Sequence, residues 1–308
     1  MTSTTLSCPT CATPLTLSDK SLSCSNNHCF DQAKQGYFNL LLSNKKKSKQ
    51  PGDNAEMVAA RHVFLETGIY QPISDALNQV CREHLPTTKL ATSQSANTIL
   101  DIGCGEGYYT NRLWQALADQ EQASEECTYQ DYTGQKPANK NTLELIGLDI
   151  SKDAIRFAAK RNKDITWIVA SGAEIPVSPH SQQLITCLFT RLMPEGMAKA
   201  LATSGKLVVV TTGKQHLLEM RNVLYNDVKE QFMNPEATLN SLFNKVTEQT
   251  VQYQHTLISQ NQISSLLAMT PHQWRAPESG RLKLQSLNEL AITIDVTITV
   301  FEPIPRTV

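Results

Sequence analysis

Cys8, Cys11, Cys24 and His28 stand in the pattern C-x2-C-x12-C-x3-H. Zinc takes four sulfur or nitrogen ligands at tetrahedral corners. A C-x-x-C turn supplies two thiolates on one side, and the stretch Leu15–Ser23 is long enough to form a hairpin that returns the chain with the second pair. Cys29 adjoins His28 and would give an all-cysteine site. Adjacent residues seldom both reach one metal, so one of the two is a bystander. With all four positions filled by protein, such a site is structural rather than catalytic. The competing reading is a group of buried cysteines without metal, which two pairs at ligand spacing argue against.

A second group lies in Ile99-Leu100-Asp101-Ile102-Gly103-Cys104-Gly105-Glu106-Gly107, an apolar strand pattern running into D-x-G-x-G-x-G. Gly103, Gly105 and Gly107 let the backbone approach a ligand closely, and a helical pattern follows, as a nucleotide-type loop requires. A carboxylate at Asp101 would repel a pyrophosphate but suits the cationic amino-acid end of S-adenosylmethionine. Further on, Ile146-Gly147-Leu148-Asp149-Ile150-Ser151 is a second strand ending in an acid. A carboxylate there can accept hydrogen bonds from both ribose hydroxyls. A third strand ends at Ala170-Ser171, where adenine would fall. The rival is a dinucleotide-binding domain, and Asp149 by itself could be a helix cap.

The elements that must position these groups alternate between strand and helix. Strands are expected at Thr98–Ile102, Leu143–Ile150, Thr166–Ala170, Leu184–Phe189 and Lys206–Thr211. Helices are expected at about Tyr109–Leu117, Lys152–Arg161 and Leu217–Gln231, with residues 55–85 helical apart from a break at Gly68. That order argues for a doubly wound parallel α/β sheet of the Rossmann-like kind. The alternating stretch Leu287–Phe301 suits an antiparallel strand at the sheet edge. The domain plan is a zinc-binding module over residues 1–43, a basic linker over 44–54 and a methyltransferase domain over 55–308. A polar, flexible surface insertion is expected at about 119–142.

The chain has 308 residues, 40% hydrophobic and 19% charged, with a net charge of -1, so bulk charge does not announce a nucleic-acid binder. Its distribution says more. Residues 1–52 carry six Lys against two Asp, and residues 117–142 carry five acids against two Lys. Lys45, Lys46, Lys47 and Lys49 are either a solvated loop or an RNA contact. Clustered cysteines, a start without a basic n-region or apolar run, and no apolar stretch near 18 residues point to a reducing, cytoplasmic setting.

Together these motifs resemble the bacterial 23S rRNA guanine-N1 methyltransferases, a family that modifies a guanine in the loop of hairpin 35. The resemblance runs through Cys8-Pro9-x-Cys11, Cys24-x-x-x-His28, Phe30-Asp31-x-Ala33-Lys34-x-Gly36-Tyr37-x-Asn39-Leu40-Leu41 and Pro51-Gly52-Asp53-x-Ala55-Glu56-Met57. It continues in Gly68-x-Tyr70-Gln71-Pro72, the block from Asp101 to Thr110, Gly147-Leu148-Asp149-x-Ser151-Lys152, Gly213-x-x-His216-Leu217 and Met269-Thr270-Pro271-x-x-Trp274-Arg275-Ala276. It implies that His28, not Cys29, completes the zinc site. It also places Tyr70, Gly105, Glu106 and His216 on cofactor-holding positions. Tyr70 and His216 taken alone read equally as packed residues.

The resemblance further implies 23S rRNA as substrate and a homodimer. One departure is Phe189-Thr190-Arg191-Leu192, where the family has a small residue, Pro and Cys after an aliphatic or aromatic one. A second is Thr203-Ser204-Gly205 in place of Pro-Gly-Gly. These keep two alternatives open: a methyltransferase for another RNA or a small molecule, and a non-catalytic RNA-binding factor that takes the same cofactor. Guanine N1 carries a proton at neutral pH, so the reaction calls for a base or a group that stabilises charge on O6. Arg191 is either that O6 partner or an ordinary surface arginine.

Overall fold

The computed structural model describes residues 2–46, 48, 50–85, 97–126, 143–228 and 233–305. The larger sheet is built on β6 (Asn97–Ile102), β7 (Leu143–Asp149), β8 (Thr166–Val169), β9 (Gln182–Leu188) and β10 (Leu201–Thr212). It is extended by β5 (Tyr37–Asn39), β11 (Phe243–Leu257) and β12 (Leu290–Pro303), in the order β11-β12-β10-β9-β6-β7-β8-β5. The run from β10 to β5 is parallel throughout, and β12 lies antiparallel between β10 and β11. The strand expected at Leu287–Phe301 is therefore interior. The edge belongs to β11, a strand with few apolar side chains that leans on the ladder to β12.

Strand residues alternate between two cores. Ile99, Leu145, Trp167 and Val208 point to one face, where α2 (Gln71–His84), α3 (Tyr108–Glu126), α4 (Lys152–Arg161), α6 (Leu218–Leu224) and α8 (Gln260–Ala268) cover them. Leu100, Ile102, Ile146, Ile168 and Ile185 point to the other. On that face stand α5 (Pro194–Ala200), α7 (Pro235–Leu239) and the amino-terminal module. Leu6, Leu15 and Leu22 of the module share this second core. The second layer of this sheet is thus largely the module rather than a full set of helices.

The module itself is a four-stranded antiparallel sheet of β1 (Thr2–Ser7), β2 (Pro14–Ser18), β3 (Ser21–Ser23) and β4 (Cys29–Asp31). It is bonded to the body. Ser7 N donates to Pro176 O at 2.9 Å, Ser178 N to Thr5 O at 2.7 Å, and Thr5 Oγ1 to the half-buried Glu144 Oε1 at 3.1 Å. The expected boundary at residue 43 falls after β5, which pairs with β8 as a strand of the larger sheet.

The end of the segment expected to be a linker is also anchored. Ser151 Oγ donates to Asp53 O at 2.6 Å, and Gly52, at φ +82°, lies where a Cβ would stand 2.9 Å from Ser151 Cβ. Asn54 then caps α1 (Ala55–Leu65), its side chain accepting from Met57 N at 2.9 Å. Of the insertion expected at 119–142, residues 119–126 continue α3 as helix, and 127–142 lie outside the described residues. The long helix expected at Leu217–Gln231 closes at Leu224, and residues 229–231 of it lie outside the described residues.

Candidate functional site

Two sites emerge, one metal-binding and one at the carboxyl edge of the parallel strands. In the first, Cys8, Cys11, Cys24 and His28 present ligand atoms all within 4.8 Å of one another. Cys8 Sγ and Cys24 Sγ each lie 3.5 Å from His28 Nδ1, and Cys11 Sγ lies 3.7 Å from Cys24 Sγ. Zn–S bonds of about 2.3 Å at tetrahedral angles put sulfurs about 3.8 Å apart and an imidazole nitrogen about 3.6 Å from each sulfur. The donor set therefore has the dimensions of a zinc site.

Two tight turns build it. Ala12 N donates to Cys8 O at 2.8 Å and Asn27 N to Cys24 O at 3.0 Å, with Ala12 and Asn27 both left-handed at φ 60°. Thr13 Oγ1 sits 3.1 Å from Cys11 Sγ, and this contact, with the Thr13 backbone, holds the Cys11 thiol down to about 5. Cys29 is exposed and turns to Ser21 Oγ, 2.9 Å away. Of the two adjacent candidates, His28 is the one inside the cluster.

The second site lies where the strand order reverses between β6 and β9, the place at which open α/β sheets bind ligands. Gly103, Gly105 and Gly107 have φ of +74°, +58° and +83°, a region that disfavours side chains. A Cβ on Gly103 would stand 2.7 Å from Thr190, and one on Gly107 2.8 Å from Trp167. At Gly105 the nearest atom is Arg61 Nη1 at 3.8 Å, so the loop is open there. Trp167 also explains Gly147, whose Cβ would meet the indole at 2.4 Å.

Asp101 is buried beneath this loop. Its Oδ2 accepts from Thr110 Oγ1 at 2.5 Å and its Oδ1 from Thr186 Oγ1 at 2.8 Å. Burial pushes its pKa up to about 6 against those two donors. Asp101 thus ties the start of α3 and strand β9 to the glycine turn. Asp149 Oδ2 accepts from Gly105 N at 2.9 Å and its Oδ1 from Ser151 N at 2.7 Å. Burial raises its pKa too. Asp149 joins the loop to the end of β7.

Glu106 is 1% exposed, and Arg161 Nη2 donates to its Oε2 at 2.6 Å. Its Oε1 and the Tyr109 hydroxyl are buried with no hydrogen-bond partner among the described residues. Spacing alone could not point to Arg61, Thr110, Arg161 or Thr186. Each acts through a contact made only on folding.

Tyr70, at the start of α2, and His216, in the loop after β10, meet with the Tyr70 hydroxyl 3.3 Å from His216 Nε2. Gly213 N donates to Asp295 O at 2.8 Å, Gln215 N to Asp295 Oδ2 at 2.9 Å and Asp295 N to His216 Nδ1 at 3.3 Å. Gly213 is required because a Cβ there would lie 2.2 Å from Asp295 Oδ2. Burial and the Arg221 charge push the His216 pKa down to about 4. The neutral ring accepts at Nδ1, so its proton sits on Nε2, toward Tyr70.

Phe189, at φ 52°, stands at the end of β9, 41% exposed. Its ring stacks on His216 at 6.4 Å and 23°, with Tyr109 at 6.2 Å on another side. Arg191 beside it is exposed. In the basic segment, Lys45 pairs with Glu174 at 2.7 Å and Lys46 is exposed, whereas Lys47 and Lys49 lie outside the described residues.

A glycine cradle at the switch point, two strand-end carboxylates and a tetrahedral Cys3His cluster define a S-adenosylmethionine-dependent methyltransferase carrying a structural zinc ribbon. Comparison with known proteins agrees. Residues 6–49 match the zinc-ribbon family described as RlmA, N-terminal, and residues 73–261 match the ubiE/COQ5 methyltransferase family. A Bacillus subtilis protein named "Putative 23S rRNA (guanine-N(1)-)-methyltransferase YxjB" is 30% identical over 95% of each chain. The "23S rRNA (guanine(748)-N(1))-methyltransferase" of Streptomyces fradiae is 28% identical over 97% of each. The chain belongs to this family, the 23S rRNA guanine-N1 methyltransferases. Among the described residues no helix is long and apolar enough to cross a membrane.

Proposed function

We propose that this chain transfers a methyl group from S-adenosylmethionine to N1 of an unpaired guanine in 23S rRNA, at the hairpin 35 loop. The observation that carries the reading is the end-to-end match to relatives so named, across zinc module and methyltransferase domain together. The two parts share one core here.

The cofactor fits the residues present: an open glycine turn at Gly105, the Asp149 carboxylate beside it and an unpartnered Glu106 oxygen. When bound, it supplies a sulfonium methyl that needs alignment more than activation. In this reading Asp149 accepts from the ribose, Asp101 holds the loop through Thr110 and Thr186, and Tyr70 with His216 closes over the methionine end. His216 keeps its proton on Nε2 and so acts as a donor rather than as the base for N1. Phe189 offers an exposed aromatic face for the guanine, which must leave any helix to expose its Watson–Crick edge. A cytoplasmic location and a homodimer enclosing the RNA belong to the same reading; sedimentation equilibrium decides the latter.

The test is methyl transfer from labelled S-adenosylmethionine to 23S rRNA lacking the modification, mapped by primer-extension stops. A new stop in the hairpin 35 loop is expected, because N1-methylguanine cannot pair. Cofactor binding with no methylated nucleotide in 23S rRNA overturns the reading in favour of another substrate or a non-catalytic role.

A further inference from the structure

The motif Met269-Thr270-Pro271-x-x-Trp274-Arg275-Ala276 has no part in the cofactor site, yet one of its side chains is conspicuous. Trp274 lies on the short helix α9 (His272–Arg275) and is 59% exposed. The other two tryptophans are packed, Trp167 at 1% exposure and Trp114 half-buried against the core. Residues on both sides of Trp274 are anchored. Met269, Thr270 and Ala276 are buried, and Arg61 Nη2 donates to Met269 O at 3.3 Å. Arg281 Nη1 donates to Gln273 O at 2.9 Å, and Tyr225 Oη lies 2.9 Å from His272 Nδ1. The indole is therefore held out on a rigid mount rather than left on a loose loop.

The mount sits at the rim of the cofactor site. Arg61, which reaches Met269 O with one nitrogen, approaches Gly105 with the other. The positive charge of Arg221 bears on both His216 and His272, and that of Arg275 on His272. Arg275 is exposed beside Trp274, and Arg281 is on the neighbouring helix α10 (Glu278–Gln285); Glu278 is the acid at its start. An exposed aromatic face flanked by cations is the arrangement that stacks an unpaired base and neutralises its phosphate.

We propose that Trp274 is a stacking platform for one unpaired nucleotide of the substrate RNA, outside the pocket that takes the target guanine, with Arg275 meeting the adjoining phosphate. This rests on the RNA methyltransferase reading. A base stacked on an aromatic side chain contributes about 1–3 kcal/mol, so Trp274→Ala should raise the KM for RNA roughly tenfold. Trp274→Phe should recover most of that loss.

The experiment is steady-state methyl transfer to a 23S rRNA fragment carrying the hairpin 35 loop, with S-adenosylmethionine affinity of each variant measured alongside. The platform predicts that the loss falls on the KM for RNA rather than on kcat, with cofactor affinity kept. It also predicts that the RNA quenches tryptophan fluorescence in the wild type and that the quenching disappears in Trp274→Phe. A Trp274→Ala variant whose RNA KM stays within twofold of wild type overturns it. A wild type that binds the fragment and shows the Trp274 quenching, but transfers no methyl group, sinks the functional reading and leaves the platform standing. A wild type that does not bind the fragment removes both.

Discussion

The Tyr70 hydroxyl lies 3.3 Å from His216 Nε2, although 146 positions separate the two residues in the chain. The contact links α2 to the loop after β10 and, in the proposed reading, closes over the methionine end of the cofactor. Tyr70→Phe keeps the ring and its edge-on contact with Phe64, 5.3 Å between centroids, and removes only the hydroxyl. A hydrogen bond of this kind contributes about 0.5–1.5 kcal/mol net. Cofactor affinity by calorimetry should fall roughly 2- to 10-fold, with the melting temperature little changed.

His216 should resist protonation. Its pKa is lowered to about 4, from an ordinary value of 6.5. Below pH 6.5 the unfolded chain takes up a proton that the folded ring refuses, so this residue lowers stability as pH falls from about 6.5 toward 4. The ring nitrogens, followed by NMR, should keep the Nε2-protonated neutral pattern at pH 5.5. In urea melts, His216→Asn should remove part of the stability loss between pH 7 and 5. An imidazolium signal at pH 6 would contradict the half-buried, Asp295-bonded ring.

Asp149 bears both on loop geometry and on ligand recognition. Asp149→Asn leaves one carbonyl oxygen to accept, as a neutral bond, from either Gly105 N or Ser151 N, and sets its donor NH2 against the other. Charge-assisted bonds are roughly twice as strong as neutral ones. S-adenosylmethionine affinity should fall at least tenfold, which equilibrium dialysis would detect. An unchanged affinity would place the ribose elsewhere.

Phe189 holds a left-handed backbone that a β-carbon makes costly, and its ring stays 41% exposed. Strain kept at such a point has a use if the ring serves the substrate. Phe189→Gly should relieve the backbone and raise the melting temperature slightly or leave it unchanged. It should cut kcat/KM for RNA by tenfold or more, because a stacked base contributes about 1–3 kcal/mol. Retained kcat/KM in that variant would move the guanine away from β9.

Zinc loss should be felt by the whole chain rather than by the module alone. Leu6, Leu15 and Leu22 cover one face of the large sheet, and β1 is bonded to residues 176–178. Cys24→Ser should lose stoichiometric zinc and melt several degrees lower as a single transition. Cys29→Ser should keep the metal, because its sulfur faces Ser21 outside the cluster. Two separate transitions in Cys24→Ser would show that the module folds independently.

The strand–helix alternation, the glycine turn and the metal cluster were legible in the sequence because each is a local pattern. Gly103, Gly105 and Gly107 stand at alternate positions of one loop, and Cys8, Cys11, Cys24 and His28 lie within one hairpin and its flanks. β11 was not legible. Its run Phe243–Leu257 offers few apolar residues, and it exists as a strand because β12 supplies the ladder along its length. The anchoring of Gly52 and Asp53, at the end of the stretch expected to be a linker, was not legible for a related reason. What anchors Gly52 and Asp53 is Ser151, about a hundred residues further on.

By itself the sequence determined the metal-ligand cluster and the glycine turn after β6, since ligand spacing and backbone freedom are properties of short segments. Only the tertiary structure decided what those residues do for one another. Folding turns Asp101 inward to Thr110 and Thr186, gives Glu106 to Arg161 and sets His216 against Tyr70. It also makes the zinc ribbon a wall of the methyltransferase core. A buried carboxylate must find its donors, and an apolar sheet face its cover, wherever the chain brings them. Neither requirement leaves a mark at a fixed distance along the sequence.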